Sequence, residues 1–243
     1  VAFDAEILFI AIRLGSPPDD YDPVDIGDDD GSGVVTNAPD FTGIDNFFAQ
    51  LFNIYNSYDV DIVNNSYGYS GNIIDFTEAQ VRYAFPKTIA EMSQIGTPDS
   101  LKTIYVWAAG NAGGYADQGV DYSSPEILPG MAHYITEIQG HSIAVASVDE
   151  NGQISNFSSR CGVAQDYCIA APGRDISVPY PTSVSDIGFF SGNKNDENYS
   201  NCIQDNSCYA RGISGTSFAA PFVSGGLAVI DDYFEGQLGS KEI

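Results

Sequence analysis

Short unbroken apolar runs alternate along this chain with longer stretches in which apolar residues return every three or four positions. Val1 to Leu14 is mostly apolar, with Ile7, Leu8, Phe9, Ile10, Ala11 and Ile12 in succession, the pattern of a strand buried on both faces. From Ile44 to Tyr58 the apolar positions are Ile44, Phe47, Phe48, Leu51, Phe52 and Tyr55, which lie on one face of a helix. Val60 to Asn64 predicts a second strand. Phe76 to Ile95 resumes a helical pattern, with Pro86 as a kink or break. Thr103 to Ala109, Ile143 to Val148 and Tyr167 to Ala171 predict three more strands, and a last helix runs from about Ser217 to Phe234. The Asp/Pro/Gly-rich stretch from Gly15 to Pro39 reads as a loop insertion, and Pro179 to Tyr209 as a long polar loop. Strands alternating with helices predict an α/β fold with a mainly parallel sheet. No repeat or linker divides the chain, so residues 1–243 are read as a single domain.

Charge narrows the choice of partners. With 33 acidic residues against 9 basic ones the net charge is -24, which disfavours nucleic acid and anionic membrane surfaces. No apolar run reaches the roughly 18 residues of a membrane span. The start, Val1-Ala2-Phe3-Asp4, has no initiator Met, basic region or cleavage site, and reads as an internal cut or a mature end. Four cysteines allow three connectivities; local pairing, Cys161 with Cys168 and Cys202 with Cys208, is the simplest, because each pair brackets a short loop. Such pairs point to an exported protein. Asp25, Asp28, Asp29 and Asp30 offer carboxylates of the kind calcium takes. The EF-hand register fails, however: aligning Gly31 to the invariant glycine puts Ile26 at the first position and Asn37 at the last. Calcium is possible, but no metal site is assigned and no cofactor is required.

The chemistry begins at Gly212-Ile213-Ser214-Gly215-Thr216-Ser217, small residues leading into Phe218-Ala219-Ala220-Pro221 where a helix starts. A serine there sits at the positive end of a helix dipole, and its own N–H is free to face a developing oxyanion. Pro221 is expected within the first turn, where no helical bond is lost. A lone serine in this setting is an ordinary cap. The whole string, Gly215-Thr216-Ser217-Phe218-Ala219-Ala220-Pro221, resembles the nucleophile motif of the subtilisin-like (subtilase) serine peptidases, and the resemblance makes Ser217 the nucleophile. Val106-Trp107-Ala108-Ala109-Gly110-Asn111 is similar to the family segment whose Asn side chain completes the oxyanion hole, which assigns that role to Asn111. Val63-Asn64-Asn65-Ser66-Tyr67-Gly68 resembles the strand that aligns an extended peptide by main-chain bonds. The resemblance implies that Ser66, Tyr67 and Gly68 form one wall of the first specificity pocket, and Ala108, Ala109 and Gly110 the other. Small residues there imply room for a sizeable apolar side chain, although Tyr67 replaces a smaller residue often seen at its position. Phe157 to Gly162 and Ala170 to Gly173 also look like subtilase segments. The cysteine-bearing form resembles a branch found in autotransporter proteins of Gram-negative bacteria.

The resemblance covers nearly the whole chain and implies a three-layer subtilisin-like fold with a mainly parallel central sheet, the N-terminal part of the domain missing. The family orders its triad Asp, His, Ser. Its His lies in a His-Gly-Thr-His-type string opening a helix that leads into a strand resembling Val1 to Leu14. The catalytic Asp and His are therefore expected upstream of Val1. His133 and His141 lack the Gly-Thr neighbours and read as loop or strand-edge residues. The implied protein is an exported bacterial serine endopeptidase acting on protein or peptide substrates; the alternative is a non-catalytic module that keeps the peptide groove.

Overall fold

The computed structural model describes residues 25–58, 60–94, 103–179 and 209–234. The strand expected at Val1 to Leu14 and the Cys202/Cys208 pair lie outside the described residues. Within them, four strands form one parallel sheet: β3 (Ile62–Asn65), β4 (Ile104–Ala108), β5 (Ser142–Val148) and β6 (Cys168–Pro172), in that order. β4 and β5 coincide with apolar runs of the sequence, while β3 ends in Asn64 and Asn65. A parallel sheet covered on both faces needs such runs, and β4 is buried at every residue.

The alternation along β4 sorts its side chains into two cores. Tyr105 and Trp107 point to one face, where they meet α1 (Thr42–Ser57) through Phe48, Leu51, Phe52 and Tyr55. The same layer holds α2 (Glu78–Ala84), α3 (Pro86–Ser93) and α4 (Ile127–Gly130). Ile104, Val106 and Ala108 point to the other face, against Ala219, Ala220 and Leu227 of α5 (Thr216–Tyr233). The result is three layers, helices on either side of a parallel sheet. Among the described residues no helix is long and apolar enough to cross a membrane.

Pro86 breaks the helical segment as expected, and it becomes the first residue of α3. Phe85, before it, has no side chain able to cap the new helix. The cap comes from α1 instead: the buried Asp45 carboxylate accepts from Lys87 N–H (3.1 Å), Thr88 N–H (2.9 Å) and the Thr88 hydroxyl (2.8 Å). Asp45→Ala strands these donors in the interior. It is expected to lower unfolding free energy by about 2–3 kcal/mol, read as a lower denaturant midpoint at unchanged slope.

One antiparallel pair stands where a loop was expected, and a second flanks the expected Pro179–Tyr209 loop. β1 (Asp28–Asp29) pairs with β2 (Val35–Thr36) inside the acidic stretch, the chain reversing through Gly31 at φ 85° and Gly33 at φ 79°. The Asp carboxylates there accept from local donors: Asp25 from Gly27 N–H, Asp29 from Gly31 N–H and the Thr77 hydroxyl, Asp30 from Ser32 N–H, and Asp28 from the Asn37 amide. β7 (Ile176–Pro179) pairs with β8 (Tyr209–Ile213), joining the chain on both sides of residues 180–208. Strands this short leave no period to read.

Candidate active site

In a parallel sheet the strands all end on one edge, and open α/β sheets collect their ligands there. β3 and β4 are registered with Asn65 opposite Trp107. The residues that follow, Ser66 to Gly68 and Ala108 to Asn111, therefore leave the edge side by side. α5 packs across the sheet, so its first turn, carrying Thr216 and Ser217, arrives at the same edge. Three segments distant in sequence are thereby gathered at one place.

Asn111 and Thr216 are locked together. Asn111 Oδ1 accepts from Thr216 N–H at 2.9 Å and from Thr216 Oγ1 at 3.2 Å, while Thr216 Oγ1 accepts from Gly110 N–H at 3.2 Å. With Oδ1 committed, the amide has one orientation, and Nδ2 faces the turn before Ser217, 3.8 Å from where a Cβ on Gly215 would stand. Ser217, second residue of α5, has a backbone N–H with no acceptor in the helix. That N–H and the Asn111 amide are two donors at one helix start. The segments after β5 brace this arrangement: Gly215 N–H donates to Gly173 C=O (2.8 Å), and Ser159 N–H donates to Gly110 C=O (2.9 Å).

Pro221 is not in the first turn. α5 begins at Thr216, so the ring lies one turn deeper, where its nitrogen would have donated to Ser217 C=O. The helix leaves that carbonyl without its partner. Ser66 supplies one, its hydroxyl donating to Ser217 O at 2.8 Å. Ser66 Oγ in turn accepts from Asn64 Nδ2 (2.9 Å), and Asn64 Oδ1 accepts from the Ser224 hydroxyl (3.1 Å). A side-chain relay thus ties β3's exit to the helix carrying Ser217. Ser66→Ala removes the donor and is expected to cost about 1 kcal/mol, measurable by denaturant titration.

Tyr67 turns its side chain into the core, stacked on Phe48 at 5.9 Å and edge-on to Trp107, with its hydroxyl donating to Asn65 Oδ1. Burial raises its hydroxyl pKa well above the ordinary tyrosine value. Only its backbone is left to line the edge. Cys161 and Cys168 are joined by a disulfide that clips the turn before β6 to its first residue. His141 precedes β5 at the opposite edge of the sheet, its carbonyl accepting from Tyr105 N–H. His133 is exposed on the α1 side, its ring against Tyr134. Neither imidazole shares an edge and a face with Ser217.

The sequence reading missed Glu126. Its carboxyl lies at the same sheet edge, Oε1 accepting from Asn111 N–H at 3.3 Å, and desolvation raises its pKa to about 7. No motif or period marks it. A glutamate after Pro125 looks like any loop acid until the fold brings it beside Gly68 and Gly110.

Sequence and structure comparisons agree with this architecture. The chain is similar to "Extracellular serine protease" of Serratia marcescens, 30% identical over 132 residues, which is 54% of this chain and 12% of that protein. It is also similar to "Serotype-specific antigen 1" of Mannheimia haemolytica, 28% identical over 133 residues, 55% of this chain and again 12% of the relative. The match thus spans about an eighth of the length of these relatives. Among solved structures, "PatG macrocyclase in complex with peptide" superposes with a TM-score of 0.52 at 15% identity, over 82% of this chain and 45% of that one. "Structure of Prenylagaramide maturation protease PagA" gives 0.51 at 18% identity, over 82% and 53%. At these identities the likeness is one of fold, the subtilisin-like α/β arrangement. The family description "Subtilase family" (Peptidase_S8) matches residues 1–242, and the chain belongs to that family of serine peptidases.

Proposed function

We propose that this chain is a single partial catalytic domain of an exported bacterial serine endopeptidase, with Ser217 as its nucleophile. The observation that supports this best is the Asn111 amide, held by Thr216 so that its N–H₂ faces the helix start carrying Ser217. Neutral, oriented donors of this kind stabilise the oxyanion of a tetrahedral intermediate. Ser217 Oγ bonds to the scissile carbonyl carbon while its proton passes to a base; the C–N bond then breaks, the leaving amine takes that proton, and water hydrolyses the acyl-enzyme. Neither His133 nor His141 shares both edge and face with Ser217, so the base in this reading is a histidine in polypeptide beyond these 243 residues, with an Asp to orient it. Ser66 to Gly68 and Ala108 to Gly110 align the peptide by main-chain bonds. The chemistry asks for no cofactor. Export is supported by the Cys161–Cys168 disulfide and by the word "extracellular" in the name of the Serratia relative.

The test is a serine-directed fluorophosphonate applied to the complete polypeptide, with the adduct mapped by mass spectrometry. Modification is expected on Ser217. A folded, complete polypeptide that leaves Ser217 unmodified would sink the reading and favour a non-catalytic module that binds peptides in the same groove. Neither histidine of this chain lies on both the sheet edge and the face that Ser217 occupies, which is the observation on that module's side.

A further inference from the structure

Glu126 stands where the fold gives a carboxyl little reason to be. It occupies the cap position of α4 yet makes no side-chain bond to that helix, although the orphan N–H groups and positive end there would stabilise a carboxylate. The side chain turns instead into the crevice between the two segments that leave β3 and β4. A Cβ on Gly110 would lie 2.5 Å from Glu126 Cδ and Oε1, and one on Gly68 would lie 2.9 Å from Oε2. Gly110 also has φ at 115°, a conformation that disfavours other residues. These two glycines leave the width that the carboxyl fills.

The backbone pins Glu126 in this place. Its N–H donates to Ala109 C=O at 2.9 Å, and its carbonyl accepts from Gly130 N–H at 2.8 Å. The carboxyl receives the Asn111 N–H at 3.3 Å, a long bond for a group that accepts about four. Glu126 as a whole residue is half-buried. A carboxylate held with spare acceptor capacity and little water is costly unless a donor arrives from outside.

We infer that Glu126 is the specificity-determining group of the pocket between Ser66–Gly68 and Ala108–Gly110, where its carboxylate receives the cationic end of an Arg or Lys side chain preceding the scissile bond. This rests on the proposed groove being the substrate site. It replaces the sizeable apolar side chain that the small wall residues imply. An apolar side chain would strip the remaining water from the carboxyl and offer it nothing, whereas a guanidinium or ammonium supplies both charge and hydrogen bonds. Raised to about 7, Glu126 ionises across neutral pH, so the preference for a cation grows as pH rises through that value.

The experiment separates binding from cleavage. Fluorescent peptides identical except for Arg or Leu before the scissile bond are titrated into the complete polypeptide carrying Ser217→Ala, and binding is read by anisotropy. Arg is expected to bind about tenfold or more tightly than Leu, the ratio rising between pH 6 and pH 8. Adding Glu126→Gln should collapse the ratio and flatten its pH dependence. A Leu preference, or an Arg:Leu ratio flat with pH, would overturn the inference; the pH series needs no Glu126 variant, so misfolding of that variant cannot mask the answer. Selective binding by a protein whose Ser217 resists fluorophosphonate would retain this pocket and overturn only the catalytic reading. Labelling at Ser217 without Arg selectivity would do the reverse.

Discussion

Ser217→Ala in the complete polypeptide is expected to lower kcat on a peptide substrate by about 10⁶-fold, the magnitude already established for subtilisin itself. The physical basis is that alanine removes the only atom able to form the acyl bond, so the two-step route through the acyl-enzyme disappears. The groove remains. Ser217 contributes its carbonyl to the Ser66 bond through the main chain, and the substitution leaves that carbonyl in place. Stability should therefore change little, and peptide should still bind. The residual rate should be the small acceleration that oxyanion donors and binding give without a nucleophile. Steady-state kinetics beside the wild type, with fluorophosphonate labelling of both, checks this. Full activity in the variant, or labelling that persists in it, would remove Ser217 from the mechanism.

Asn111 carries the second largest effect, and its two roles separate by substitution. Removing an oxyanion donor costs about 10²–10³ in kcat, again a figure established for subtilisin itself. In this chain Asn111 Oδ1 also holds Thr216 N–H and Oγ1. Asn111→Ala loses both functions: activity falls, and the fully buried Thr216 is left with unpaired donors, at a cost of about 1–3 kcal/mol of stability. Asn111→Asp keeps an acceptor for Thr216 but replaces the amide donor with negative charge at the point where the oxyanion forms. The expected outcome is a near-native denaturation midpoint with kcat lower by at least the same factor, and KM little altered because the missing bond belongs to the transition state. An Asp variant that retains wild-type kcat would show that Asn111 is there to hold Thr216 and nothing more.

Much of the scaffold was legible because it is written in local periods. The Phe48, Leu51, Phe52, Tyr55 stripe predicts α1, and continuous apolar runs predict the central strands β4 and β5, since a strand covered on both faces has no polar side to show. Pro86 marked the break between α2 and α3 by its missing N–H. The pairs β1/β2 and β7/β8 escaped because strands of two to five residues carry too few positions to reveal an alternation, and because β7 and β8 find each other across some thirty residues. The tertiary cap escaped for a related reason: Asp45 looks like an ordinary helix acid until α3 is placed against α1.

The candidate site divides in the same way. The strings around Ser66, Asn111 and Ser217 were enough, from sequence alone, to name the family and the three segments, because each string encodes a local need: small residues at a strand exit, a glycine before the amide, a serine opening a helix. What the sequence placed wrongly was Pro221, since the start of α5 at Thr216 is set by the Asn111 bonds to that residue and not by the proline. That shift left Ser217 C=O open, and its partner, Ser66, stands 151 positions away in the chain. Glu126 is the sharper case. As a residue type in a loop it carries no signal. Its character comes from Gly68 and Gly110, which admit it, from Ala109, which pins its backbone, and from the protein around it, which denies it water. Sequence determined which segments meet at the sheet edge, because those are local strings on predictable elements. Tertiary structure alone decided what stands between them, because desolvation and close approach are properties of neighbours that the chain brings together only on folding.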